Sequence, residues 1–116
     1  MTRQSYTAVV ERNRLWTGPF ETEPYEAAWA NEAIFFVRVL EASGGLADAH
    51  AAAHARVQIS PDGMHWCDEG TLVPLPTKAG ATTFGRVRHF GGWLRLAGQV
   101  PPGEQIQVIV YLVLKA

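Results

Sequence analysis

The sequence predicts an all-β protein: one antiparallel β-sandwich of jelly-roll type, about eight strands, in a single domain spanning 1–116. Three observations predict it. Apolar and polar residues alternate along most segments, which is the period of a strand with one buried face. Chain breakers recur at short spacing: Thr17-Gly18-Pro19, Ser43-Gly44-Gly45, Pro61-Asp62-Gly63, Pro74-Leu75-Pro76, Lys78-Ala79-Gly80, Gly91-Gly92 and Pro101-Pro102-Gly103. The chain has 116 residues, 47% of them apolar, which is enough for one core.

Taken in order, strands are expected at 6–16, 25–30, 33–42, 53–60, 65–69, 82–90, 93–97 and 105–115. The run Ile34-Phe35-Phe36-Val37-Arg38-Val39-Leu40 is rich in branched and aromatic side chains, which suit a pleated surface. Between it and the next strand lies Leu46-Ala47-Asp48-Ala49-His50-Ala51-Ala52. Alanine favours helix over strand, so a loop with a short helical turn is expected near 46–52. Val57 and Ile59 alternate with Arg56 and Gln58, as on a half-buried strand. Pro61 presets a turn, and Gly63 is expected to take the left-handed conformation that closes a short hairpin, with Trp66 covering it. Gly91-Gly92 reads as a tight turn or bulge. Phe84, Phe90 and Trp93 are expected to point inward while Arg86 and Arg88 stay solvated.

The stretch Ser60-Pro61-Asp62-Gly63-Met64-His65-Trp66 resembles the Asp-box hairpin of sialidase-type propellers and of lectin-like and phage tail domains. It departs from that pattern because Asp62 abuts Gly63, where the Asp box has an intervening residue. The resemblance implies a structural turn. As a whole the chain is similar in style to small phage virion proteins: one compact β-sandwich, no enzyme motif and a terminal apolar strand. That likeness implies an assembly role.

The chemistry-bearing residues do not converge on a reaction. His50 and His54 share a face at a spacing of four, a geometry that suits zinc, but no further ligand accompanies them and Ala51 stands where a zinc protease has Glu. No metal, no other cofactor and no catalytic residue is expected. On a strand, His65, Cys67 and Glu69 point one way and Trp66 and Asp68 the other. Cys67 is the sole cysteine, and it reads as a small buried side chain. The net charge of −1 gives no pull toward nucleic acid or an anionic membrane. The N-terminus lacks the apolar run of a signal peptide, and 105–114 is too short to span a bilayer as a helix. A cytoplasmic or virion location is expected.

The charges are unevenly spread. Glu21, Glu23, Glu26 and Glu32 occur with no base among them; Lys78, Arg86, Arg88 and Arg95 occur with no acid among them. The two segments either face each other inside one chain or meet head to tail between subunits. In 105–114, Ile106, Val108, Val110, Leu112 and Leu114 form one apolar face, while Ile109, Tyr111 and Val113 occupy the other. A strand apolar on both sides needs a cover. A homo-oligomer or a partner structural protein is therefore expected, with Ile109, Tyr111 and Val113 at the contact. Arg86, Arg88, Arg95, Glu21, Glu23 and Glu26 would form its rim. The alternative is a carbohydrate- or ligand-binding module using Trp66, Trp93, Arg88 and His89.

Overall fold

A computed structural model describes residues 5–43, 53–76 and 78–116. The expected helical turn over 46–52 and His50 lie outside the described residues. The described chain is all-β, with the elements β1 (Ser5–Trp16), β2 (Pro19–Glu21), β3 (Tyr25–Glu26), β4 (Glu32–Ser43), β5 (His54–Ser60), β6 (Cys67–Pro74), β7 (Thr82–Arg88), β8 (Trp93–Gln99) and β9 (Gln105–Lys115). They form two antiparallel sheets, ordered β1-β9-β4-β7 and β2-β8-β5-β6, with β3 also pairing β8. The chain crosses from sheet to sheet at nearly every connection. With β2 and β3 as two halves of one edge strand, the pairing order is that of an eight-stranded jelly roll.

The core lies between the sheets and follows the alternation in the sequence. Phe35, Val37 and Val39 of β4 and Ile106, Val108, Val110, Leu112 and Leu114 of β9 meet Val57, Leu94 and Leu96 from the other sheet, all essentially inaccessible. At one end Trp16 stacks on Phe20, ring centroids 3.8 Å apart and 11° from parallel. Phe20 can lie flat there because its cross-strand partner is Gly98. A Cβ on Gly98 would come within 2.8 Å of Phe20 Cζ and 3.2 Å of Ala55 Cα.

Glycine also draws the sheets together along one edge. A Cβ on Gly85 of β7 would lie 2.8 Å from Val73 Cγ2 of β6. The approach is stitched by hydroxyls rather than by a ladder: Thr83 Oγ1 donates to Pro74 O, and Thr71 Oγ1, whose nearer acceptor is Glu69 Oε1, lies 3.2 Å from Arg86 O.

The structure corrects several expected elements. The strand expected at 25–30 stops at Glu26, because Glu26 Oε1 accepts the Ala28 N–H and Ala30 N–H turns back to Ala27 O. The strand expected at 65–69 instead runs from Cys67 to Pro74, passing through Gly70 at φ 112°. Pro74 ends that strand at the sheet edge, where its missing N–H costs no ladder bond. Pro19 likewise opens β2, an edge strand that the sequence reading missed. Cys67 is exposed rather than buried, with Sγ 3.7 Å from Ile59 O. Phe84 points outward, because it shares its strand parity with Arg86, whose guanidinium lies 5.1 Å from the ring centroid.

Gly98→Ala is expected to destabilise the fold by about 1–3 kcal/mol, the usual range for overpacking. Adding Phe20→Leu should restore part of that loss. Melting curves of the two variants check this; a Gly98→Ala protein as stable as the parent would show that Phe20 yields without strain.

Candidate interaction surfaces

The outer face of the β1-β9-β4-β7 sheet is assembled by register. Val9 of β1 stands opposite Tyr111 of β9, Tyr111 opposite Phe36 of β4, and Phe36 opposite Phe84 of β7. One apolar row therefore crosses all four strands. The next row is Thr7, Val113, Ile34 and Arg86. On the other side Ile109 stands beside Arg38, which in turn stands beside Thr82. Phe84 is 47% exposed and Val9 38%, whereas Ile34, Phe36, Ile109, Tyr111 and Val113 are half-buried by their neighbours. The structure thus brings Ile109, Tyr111 and Val113 onto one face, with Arg86 beside them. Their outer sides are partly shielded within the sheet rather than fully open.

Toward one end of this face, a cleft of about 220 Å³ is lined by Ile34, Val113, Arg86, Arg88, Lys115 and Glu32, among others. Ile34 and Val113 give it apolar walls, and the bases outnumber the single carboxylate. Arg88 Nε lies 3.4 Å from Glu32 Oε1.

The other basic residue proposed for a rim sits elsewhere. Arg95 is in β8 of the second sheet, and its Nη1 lies 3.1 Å from Glu21 Oε2. Arg95–Glu21 and Arg88–Glu32 are pairs within one chain, so part of the charge asymmetry is satisfied internally. Glu23 and Glu26 are exposed and form no ion pair among the described residues.

Around Arg95, the outer face of the second sheet carries a polar network. Its guanidinium carbon lies 4.2 Å from the Trp66 ring centroid, and its Nε donates to Gln58 Oε1 at 2.7 Å. Gln58 Nε2 donates to Asp68 Oδ1 at 2.9 Å, and Arg56 Nε approaches the same oxygen at 3.4 Å. The Gln58 amide, and then the Arg56 charge, hold the Asp68 carboxyl below its ordinary range. Of the four residues expected to bind a ligand together, only Trp66 belongs to this platform. Trp93 packs on the turn, Arg88 lies on the opposite sheet, and His89 sits in a loop at φ 55°.

The 60–66 stretch is a turn organised by two side chains. Ser60 Oγ accepts the N–H groups of Asp62 and Gly63 at 3.2 and 2.8 Å and donates to Asp62 Oδ1. Asp62 Oδ1 accepts the N–H groups of Met64 and His65, both at 2.9 Å, and Oδ2 lies 2.7 Å from His65 Nδ1. Those bonds, led by the His65 N–H, hold the Asp62 carboxyl well below the usual carboxylate range. Gly63 has φ 79°, as expected from the sequence. The connection is longer than a three-residue hairpin, since Ile59 pairs with Cys67. Trp93 covers it rather than Trp66: a Cβ on Gly63 would sit 3.2 Å from the Trp93 ring. The proximity of Ser60, Asp62 and His65 is no hydrolytic triad, because Ser60 is fully buried and bonds the carboxylate rather than the imidazole. Among the described residues, no group of three His, Cys, Asp or Glu side chains is arranged to hold a metal ion. No helix among them is long and apolar enough to cross a membrane.

No family description and no curated protein matches this chain. Among solved structures, the crystal structure of the SPBc2 prophage-derived protein YomS is similar to it with a TM-score of 0.63. The match covers 100% of this chain and 96% of that one at 8% sequence identity. At that identity the likeness is one of fold.

The Asp62 charge has a pH signature. A carboxyl with a depressed folded pKa contributes stability above its unfolded value, about 3.9, and the contribution is lost as pH falls toward the folded value. The melting temperature of Asp62→Asn is therefore expected to lie below the parent's at pH 7, with the gap narrowing below about pH 4. A gap independent of pH would assign the turn's stability to shape rather than charge.

Proposed function

We propose that this protein is a non-enzymatic structural component that works by docking, assembling with copies of itself or decorating a larger phage virion-like assembly. One observation carries the reading: the apolar row Val9, Tyr111, Phe36 and Phe84 running across the whole outer face of one sheet. A two-layer sandwich ordinarily shows polar residues on its outer faces. Fully burying a large apolar side chain contributes roughly 1.5–3 kcal/mol, so completing the burial of several half-covered ones is a sizeable drive toward association. The prophage origin of a protein with this fold adds support from outside the chain.

Light scattering coupled to size exclusion, at micromolar concentration and low salt, is expected to give species larger than the 12.7 kDa chain. The double variant Phe84→Lys, Val113→Lys should return a folded monomer. A monomeric parent, matched by a double variant of equal solubility and melting temperature, would remove both the association and its placement.

A second reading, carbohydrate binding, is favoured by the Trp66–Arg95–Gln58–Asp68 platform, which joins an aromatic ring to planar hydrogen-bonding groups on one sheet face. On a glycan array this reading requires a signal from the parent that Trp66→Ala abolishes. A blank array, or a signal that survives Trp66→Ala, counts against it.

A further inference from the structure

The structure carries two surfaces of opposite character, and we infer that they are the two halves of one head-to-tail contact between copies of this chain. One half is the outer face of the β1-β9-β4-β7 sheet. The other is the edge of the second sheet formed by β2 and β3, with the turn that follows it. This inference rests on the docking role proposed above and names the occupant of that face.

Charge selects the occupant. Arg38, Arg86, Arg88 and Lys115 stand on or beside the apolar rows, against the carboxylates of Glu32 and Glu41. Glu32 is already engaged by Arg88. A twofold contact would set this patch against itself and oppose like charges. On the β2–β3 edge Glu21 is engaged by Arg95 and Arg14 lines the cleft beside it, which leaves Glu23 and Glu26 as the carboxylates open to a partner's bases. Glu23 and Glu26 are exposed there, and no base lies between Glu21 and Glu32. It also carries an apolar anchor: Trp29, in the turn after β3, is 42% exposed. An exposed tryptophan three residues after the unpaired Glu26 matches a face with an apolar centre and a basic border, since aromatic anchors dominate such contacts.

Size points the same way. About seven residues on each of four strands make a flat area of roughly 450 Å². A stable contact needs about 800 Å² from each partner. The whole face, its charged positions included, is therefore needed, and on it the bases Arg38, Arg86, Arg88 and Lys115 outnumber the carboxylates of Glu32 and Glu41.

Because the two surfaces differ, each copy has one of each and the contact propagates into a ring or a filament. A mixing experiment separates this from a twofold dimer. Arg86→Gln with Lys115→Gln weakens the face and leaves the edge intact. Glu23→Gln with Glu26→Gln weakens the edge and leaves the face intact; the amide that Glu26→Gln introduces keeps a carbonyl oxygen to accept the Ala28 N–H. Each variant should assemble at least about tenfold more weakly than the parent, as expected for lost charge complementarity. Circular dichroism should show both to be folded. At a concentration where each alone is monomeric, their mixture should give a dimer of two 12.7 kDa chains and nothing larger. A mixture that stays monomeric, a mixture that regains the parent's size, or variants that assemble like the parent would each overturn the head-to-tail contact while leaving an assembling protein. A monomeric parent would instead remove the docking role itself, and this contact with it.

Discussion

The double pairing of β9 is the constraint on which the rest of the fold depends. β9 takes β1 on one side and β4 on the other, along almost its full length. A strand rich in branched residues and without charge from Gln105 to Leu114 is hazardous when its backbone edge is open. Placed centrally, β9 has no open edge. Its inner residues, Ile106 to Leu114 in alternation, are fully buried and supply much of the core. The price is that its other side, Ile109, Tyr111 and Val113, must stand on the outside of the sheet. The core and the apolar outer face are two consequences of one run of apolar residues on both sides of a strand.

Glycine then decides how tightly the second sheet closes over that core. Gly98 lets Phe20 lie across β8 and stack on Trp16, and Gly85 lets β6 and β7 approach where no strand ladder joins them. Neither position has a positive φ, so the requirement is space and not backbone freedom. Such positions look like ordinary weak points in a strand when only the sequence is read. Their reason appears only when a third residue from another element is seen against them.

This marks the boundary of what was legible. Local alternation disclosed β1, β4, β5, β7 and β9 nearly to their ends, because each strand buries one face against a common core. The two-sided character of β9 was equally visible, and with it the candidate face. The edge strands of the second sheet were not: β2 opens on a proline and β6 ends on one, and both prolines read as breakers when the sheet boundary is unknown. Hydrophobicity alone points Phe84 inward, although its parity with Arg86 places it outside. Parity was the stronger signal. The pairing of Arg95 with Glu21 joins residues far apart in sequence, and no local pattern could choose between that and a contact across subunits.

The apolar row that crosses the sheet is bordered and partly covered by cations. The structure shows how the face is restrained. The Arg86 guanidinium lies over Phe84, the most exposed aromatic of the row, and Arg38 stands beside Ile109. A cation over a ring contributes about 0.5–1 kcal/mol at an exposed site, a small fraction of what burying the same ring would contribute. Such a cover is strong enough to oppose like-charged neighbours and weak enough to be exchanged for a surface that offers both an apolar contact and a carboxylate. In the proposed assembly the same arginines would act in two senses: they would oppose stacking of like-charged faces, and they would favour a partner whose charge is opposite.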